Sequence, residues 1–125
     1  MVDGMKSKHI FLNIFVLNWP ITAIGSIIHR LTGVFLFLSM PGFLYFFYLT
    51  IESSSSFIVV SSLSSNSYIK LVLYIFLFSF IYHAISGIKH IIMDIGYFDT
   101  KSSSKRLTIV VLVLITFLFF LSILL

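Results

Sequence analysis

The stretch IKLVLYIFLFSFIYHAISGIKHIIM, residues 69–93, decides how this chain is read. A helix needs roughly 20 apolar residues to cross about 30 Å of hydrocarbon, and this run is long enough. Yet it holds His83, Lys89 and His90, with Asp94 directly after it. An ionisable side chain near the centre of a membrane helix costs roughly 2.5–3.5 kcal/mol on insertion scales. Chains that keep several such groups keep them for a ligand, a cofactor, a proton path or a partner inside a bundle. The membrane polar groups are therefore where function is sought.

Two more apolar runs of bilayer length, about 24–50 and 107–125, flank this one. Continuous apolar character indicates helices rather than strands, because an open sheet edge does not survive in lipid. The expected fold is all-α: a single integral-membrane domain over residues 1–125 with three transmembrane helices. Composition agrees, with 59% hydrophobic and 10% charged residues and a mean hydropathy of +1.14, where soluble domains carry about 25% charged residues. Little sequence is left for a soluble catalytic domain. The net charge of +4 comes from scattered residues at helix ends and reads as a topology signal, not as a nucleic-acid surface. With no cysteine, any metal must be held by histidine, carboxylate or a partner's ligands.

The first connection is serine-rich, with Glu52 to Ser56 and a patch from Ser61 to Ser67, and reads as a polar loop interrupted by Phe57 to Val60. The second, Gly96 to Arg106, reads as a basic loop with Lys101, Lys105 and Arg106. Lys6 and Lys8 precede the first span, and the first connection has no Lys or Arg before Lys70. Positive-inside bias then puts the N-terminus and second connection on the cytoplasmic or matrix side and the C-terminus outside. Met1 to Trp19 lacks a small-residue cleavage site and reads as an interfacial segment, with Trp19 as a belt residue before Pro20.

On the second span His83, Gly87, His90 and Asp94 follow at i, i+4, i+7 and i+11, one stripe of a helix. Neutral imidazole is a good axial ligand for haem iron, and a glycine one turn away lets a flat group or a partner helix approach. At about 1.5 Å per residue His83 is expected roughly 15 Å deep, near the midplane. His29 and His90 are expected within about 8 Å of the inner surface. That depth difference would leave His29 badly placed as a second axial ligand to His83, so a six-coordinate haem needs a histidine from another chain. Alternatives stay open. His83 could be a bundle histidine bonded to a neighbouring helix, His90 an ordinary interfacial one, and Lys89 and Asp94 snorkelling and topology residues.

The first span adds Ser26, His29 and Arg30: a hydroxyl, an imidazole and a guanidinium within two turns of the inner surface. Together they can hydrogen-bond a carbonyl headgroup or pair with carboxylates where water is scarce. Alternatively, Arg30 anchors the helix end to lipid phosphates and Ser26 bonds its own backbone. The third span has only Thr108, Thr116 and Ser122 as polar groups and reads as packing.

These motifs resemble the cytochrome b556 subunits of succinate dehydrogenase, the membrane anchors of respiratory complex II, from about Asn18 to Tyr97. Pro20-Ile21-Thr22-Ala23-Ile24-Gly25-Ser26-Ile27-Ile28-His29-Arg30-Leu31-Thr32-Gly33 is similar to the family's F-P-I-T-A-I-x-S-I-x-H-R-x-[ST]-G. Tyr82-His83 through Asp94-Ile95-Gly96-Tyr97 is similar to H-x-x-x-G-[IV]-[RK]-H-x-x-x-D-x-G. Lys8-His9, Trp19 and Lys89 depart from the commoner family residues. The resemblance implies that His83 is an axial ligand of haem b and the protein's contact to its iron. It implies that His29, Arg30 and His90 lie near the haem propionates, and that Ser26 and Arg30 line the ubiquinone headgroup site. It also implies three partners: a flavoprotein, an iron–sulfur subunit and a second membrane anchor bringing the other haem histidine. The chain would then sit in a bacterial or mitochondrial inner membrane as an electron-transfer subunit without a complete active site of its own. Two other classes remain on the sequence: a haem-free structural anchor of a fumarate reductase-like complex, and an unrelated small membrane transport component.

Overall fold

Pro20 opens the first helix: its carbonyl accepts from the backbone N–H groups of Ala23 (2.9 Å) and Ile24 (3.2 Å). The structure is a computed structural model that describes residues 19–98 and 100–124. Apart from Trp19, the expected N-terminal interfacial segment lies outside those residues. Helix α1 runs Ile21–Glu52 with Pro41 inside it. In lipid a proline is tolerated because neighbouring groups re-satisfy the carbonyl it frees.

Ser53 has extended backbone (φ −160°, ψ 160°) and breaks the chain direction, and its hydroxyl then caps the next helix by accepting from the Ser56 N–H. Glu52 joins the two helices, accepting from Tyr48 at 2.9 Å and from the Ser56 hydroxyl at 3.0 Å. Helix α2, Ser54–Ser64, is the main departure from the sequence reading. The segment expected to be a polar loop is a helix. Ser62 and Ser64 return their hydroxyls to backbone carbonyls one turn back, which hides polar groups that a hydropathy reading counts as loop. Val60, 3% exposed, is its buried anchor.

The Asn66 side chain caps α3, Ser67–Asp94, by accepting from the Tyr68 N–H. This helix ends in a Schellman arrangement: Tyr97 N–H bonds the Ile92 carbonyl and Gly96 N–H bonds that of Met93. Gly96 sits at φ +94°, where a side chain is strained. Thr100 then caps α4, Lys101–Leu124, through its hydroxyl to the Ser103 N–H. The basic segment Lys101 to Arg106, expected as loop, thus forms the opening turns of α4.

Helices α1, α3 and α4 have 32, 28 and 24 residues. At about 1.5 Å per residue each exceeds the roughly 30 Å hydrocarbon layer, while the 11 residues of α2 cannot cross it. The chain is therefore a multi-pass membrane protein, all-α among the described residues. α3 packs against each of the other three helices. Its buried positions, Phe76, Ser79, Tyr82, Ser86 and Lys89, recur every three or four residues. Among them Tyr82 packs with Val111 and Ile115 of α4, Tyr82 and Lys89 lie against Gly25 of α1, where the missing side chain allows close approach, and Phe76 stacks on Phe43 of α1. Large apolar groups such as Phe37 (78% exposed) and Leu38 (71%) point away from this seam. In water such a surface would be untenable; in lipid it is the expected one.

Candidate functional site: a histidine stack where α1 meets α3

Gly33 of α1 makes the site possible. A Cβ there would lie 2.7 Å from Cε1 and 3.2 Å from Nδ1 of His83, so the imidazole occupies the space any side chain at 33 would need. The ring is also held by a hydrogen bond, His83 Nδ1 to the His29 carbonyl at 3.0 Å. A carbonyl only accepts, so Nδ1 carries the proton, and in the neutral imidazole the lone pair is then on Nε2. Thr32 buttresses the same point: its hydroxyl donates to the carbonyls of Ile28 (3.0 Å) and His29 (2.9 Å) and sits 3.5 Å from His83 Nδ1.

The His29 ring stacks on that of His83, centroids 4.2 Å apart and planes within 8°. His90 closes the group, its ring 5.1 Å from that of His29 and tilted by 48°. The expected separation in depth between His29 and His83 does not hold. Helix α1 begins at Ile21, so His29 is eight residues in, about 12 Å along the axis, close to the level of His83 eleven residues from Asp94. Parallel stacked rings present faces to each other, whereas two axial ligands of one iron must aim nitrogen lone pairs at each other. In this arrangement His29 does not oppose His83 across a metal. Among the described residues no set of three or more His, Cys, Asp or Glu side chains converges as metal ligands would.

Nε2 of His29 and Nε2 of His90 are buried and have no hydrogen-bond partner among the described residues. Buried polar nitrogens are nearly always satisfied, so this pair marks a place where something else donates or accepts. The Gly87 backbone lies beside His29 Nε2, which would be 3.4 Å from a Cβ at that position. Arg30 is exposed and Ser26 half-buried, one turn apart on α1. The Ser26 hydroxyl makes no hydrogen bond among the described residues, unlike Thr32, Ser39 and Thr108, which turn theirs back to their own helix.

Lys89 differs from its expected snorkelling role. It is 3% exposed, turned into the bundle with Nζ 3.9 Å from the position of a Gly25 Cβ. Asp94 is exposed, as a helix-end residue should be. Sequence reasoning gave no part to Thr32 and little to Gly33, although both stand in the His29-Arg30-Leu31-Thr32-Gly33 motif. Their i+3 and i+4 offsets from His29 place them over one face, a signal that only a partner helix makes legible.

Comparison with known proteins gives the family. The family described as succinate dehydrogenase/fumarate reductase transmembrane subunit matches residues 5–123. The succinate dehydrogenase cytochrome b556 subunit of Coxiella burnetii is 34% identical over 95 residues, covering 75% of this chain and 76% of that protein. The subunit of the same name from Rickettsia prowazekii is 36% identical over 72 residues, 58% of this chain and 55% of that one. A match over nearly the full length, together with a relative 34% identical across three quarters of both chains, makes this chain a member of the succinate dehydrogenase/fumarate reductase transmembrane subunit family.

Proposed function

We propose that this chain is a haem b-binding membrane anchor of succinate:quinone oxidoreductase, helping to form the ubiquinone site and to pass electrons from an iron–sulfur subunit to quinone. The observation that carries it is the His83 clamp. Nδ1 is bound to the His29 carbonyl and the ring is seated against Gly33, which fixes the tautomer and orientation and leaves Nε2 free to ligate. An imidazole held this way is what an axial haem ligand requires. Bound haem b supplies a one-electron redox centre within the bilayer. The unpartnered Nε2 atoms of His29 and His90, with the exposed Arg30 guanidinium, suit the carboxylates of its propionates. The second axial histidine belongs to a second membrane anchor, since His29 stacks on His83 rather than facing it.

Ser26 and Arg30 are assigned to the ubiquinone headgroup. A quinone carbonyl gains negative charge on reduction, and donors already aimed at it stabilise that charge without reorganisation. Arg30 brings the charge and Ser26 a hydroxyl not committed to its own helix. Both lie toward the end of α1 that carries the positive N-terminal segment, where positive-inside bias places the cytoplasmic or matrix face. An iron–sulfur subunit and its flavoprotein dock on that side. A Soret band and a reduced α-band in the purified complex test this reading. A pigment-free complex that still anchors its soluble subunits would make the chain a haem-free structural anchor instead.

A further inference from the structure

We infer that Tyr82 is a positioning residue for quinone reduction, holding the turn of α1 that carries Ser26. This rests on the assignment of Ser26 and Arg30 to the quinone headgroup. The Tyr82 hydroxyl donates to the Gly25 carbonyl at 3.1 Å, a buried bond between residues 57 apart in sequence. Tyr82 itself is 3% exposed and belongs to the packed cluster with Val111 and Ile115 of α4. The phenol therefore links the rigid α3–α4 seam to the backbone of the residue directly before Ser26.

This tether is the hydroxyl bond that reaches the backbone of another membrane helix among the described residues; the Ser104 hydroxyl reaches only the Met93 sulfur (3.8 Å), and Thr32 only the edge of the His83 ring (3.5 Å). Ser39, Thr50, Thr108 and Thr116 bond carbonyls of their own helix, which fixes nothing between helices. Tyr82 crosses from α3 to α1. Gly25 sits near the start of α1, the part of a helix most prone to fray. Without the tether, this turn keeps its own helical bonds but is held to α3 and α4 by packing alone, against the Thr108 methyl group and Lys89 Nζ, 3.5 Å and 3.9 Å from the position of a Gly25 Cβ. A displacement of even a fraction of an ångström in Ser26 matters, because a donor stabilises developing charge only at hydrogen-bond distance. His83, the next residue of α3 and turned about 100° around the helix from Tyr82, has its own clamp through Gly33 and His29. Haem ligation should therefore be insensitive to the phenol.

The test is Tyr82→Phe in the assembled complex, which removes one oxygen and keeps the ring. Ser79→Ala is the control: it removes a hydroxyl from a comparably buried site (5% exposed) on the same helix. Steady-state kinetics with a short-chain ubiquinone analogue should show kcat/KM for quinone lowered about 2–10-fold in Tyr82→Phe, mainly through kcat, the range for losing one net hydrogen bond. The haem spectrum and succinate oxidation by an artificial acceptor should stay at wild-type values, and Ser79→Ala should match wild type throughout. A wild-type kcat/KM for quinone in Tyr82→Phe, alongside impaired Ser26→Ala, overturns the tether alone. Normal kinetics in Ser26→Ala and Arg30→Leu as well overturn the quinone assignment beneath it. Loss of assembly or of haem in Tyr82→Phe, with Ser79→Ala intact, would make the hydroxyl a folding element and also overturn the positioning role.

Discussion

Replacing Gly33 by alanine tests the clamp on His83 with a single methyl group. The new Cβ would stand 2.7 Å from His83 Cε1, where ordinary contact begins near 3.4 Å, so the ring must retreat by about 0.7 Å or α1 and α3 must part by as much. Overpacking of a closed interface costs about 1–3 kcal/mol. The retreat also stretches the 3.0 Å bond from His83 Nδ1 to the His29 carbonyl beyond useful length. Loss of an outer-shell partner of a ligating histidine typically costs about 10–100-fold in metal affinity. Gly33→Ala should therefore lower haem content or haem affinity by one to two orders of magnitude and shift the midpoint potential of the haem that remains. The assays are pyridine-haemochrome content per assembled complex and an optical redox titration. Gly42→Ala is the matched control, because a Cβ at 42 has nothing within 4 Å. Wild-type haem content and potential in Gly33→Ala would refute the clamp.

Ser26→Ala and Arg30→Leu should impair succinate:quinone reductase activity by up to about 10²–10³-fold, the range for losing one aimed donor, while sparing succinate oxidation by an acceptor that takes electrons upstream. Arg30→Lys should rescue only in part, because an ammonium cannot reproduce the planar fork; normal turnover and inhibitor sensitivity would return Arg30 to a lipid-anchoring role. A reporter after the last residue should lie outside the membrane and one inserted between α3 and α4 inside, with the reverse result breaking the charge-bias argument. Gly96→Ala should destabilise the folded chain by about 1–2 kcal/mol, the cost of a left-handed backbone for a residue with a side chain, seen as a lower thermal midpoint in detergent. An unchanged midpoint would mean that the α3 terminus relaxes freely.

The membrane helices were legible because their signal is local: apolar runs longer than a bilayer, the first of them set off by Pro20. Helix α2 was not, because a serine-rich segment reads as loop until its hydroxyls are seen bonded back to the backbone and Val60 is seen buried. The early start of α4 was hidden in the same way: Thr100 is a cap only if the basic residues after it are helical. In the site, the residue types and their stripe along α3 were readable, but the contacts between helices were not. Estimating depth from run boundaries set His29 and His83 apart, and a three-residue error at the start of α1 accounts for much of that. Lys89 shows a second limit. From sequence a lysine near a helix end snorkels; only packing reveals that this one is buried, its Nζ against Gly25 of α1.

The central claim is that His83 ligates haem iron, and the optical spectrum of the assembled complex with His83→Ala tests it most directly. Reduced-minus-oxidised spectra should lose the low-spin b-type signature in this variant, while His29→Ala, which removes the stacked ring but leaves the carbonyl that accepts from Nδ1, should keep both axial ligands and a low-spin spectrum. A His83→Ala complex with wild-type band positions and an unchanged midpoint potential would contradict the account, because axial identity is a main determinant of haem potential.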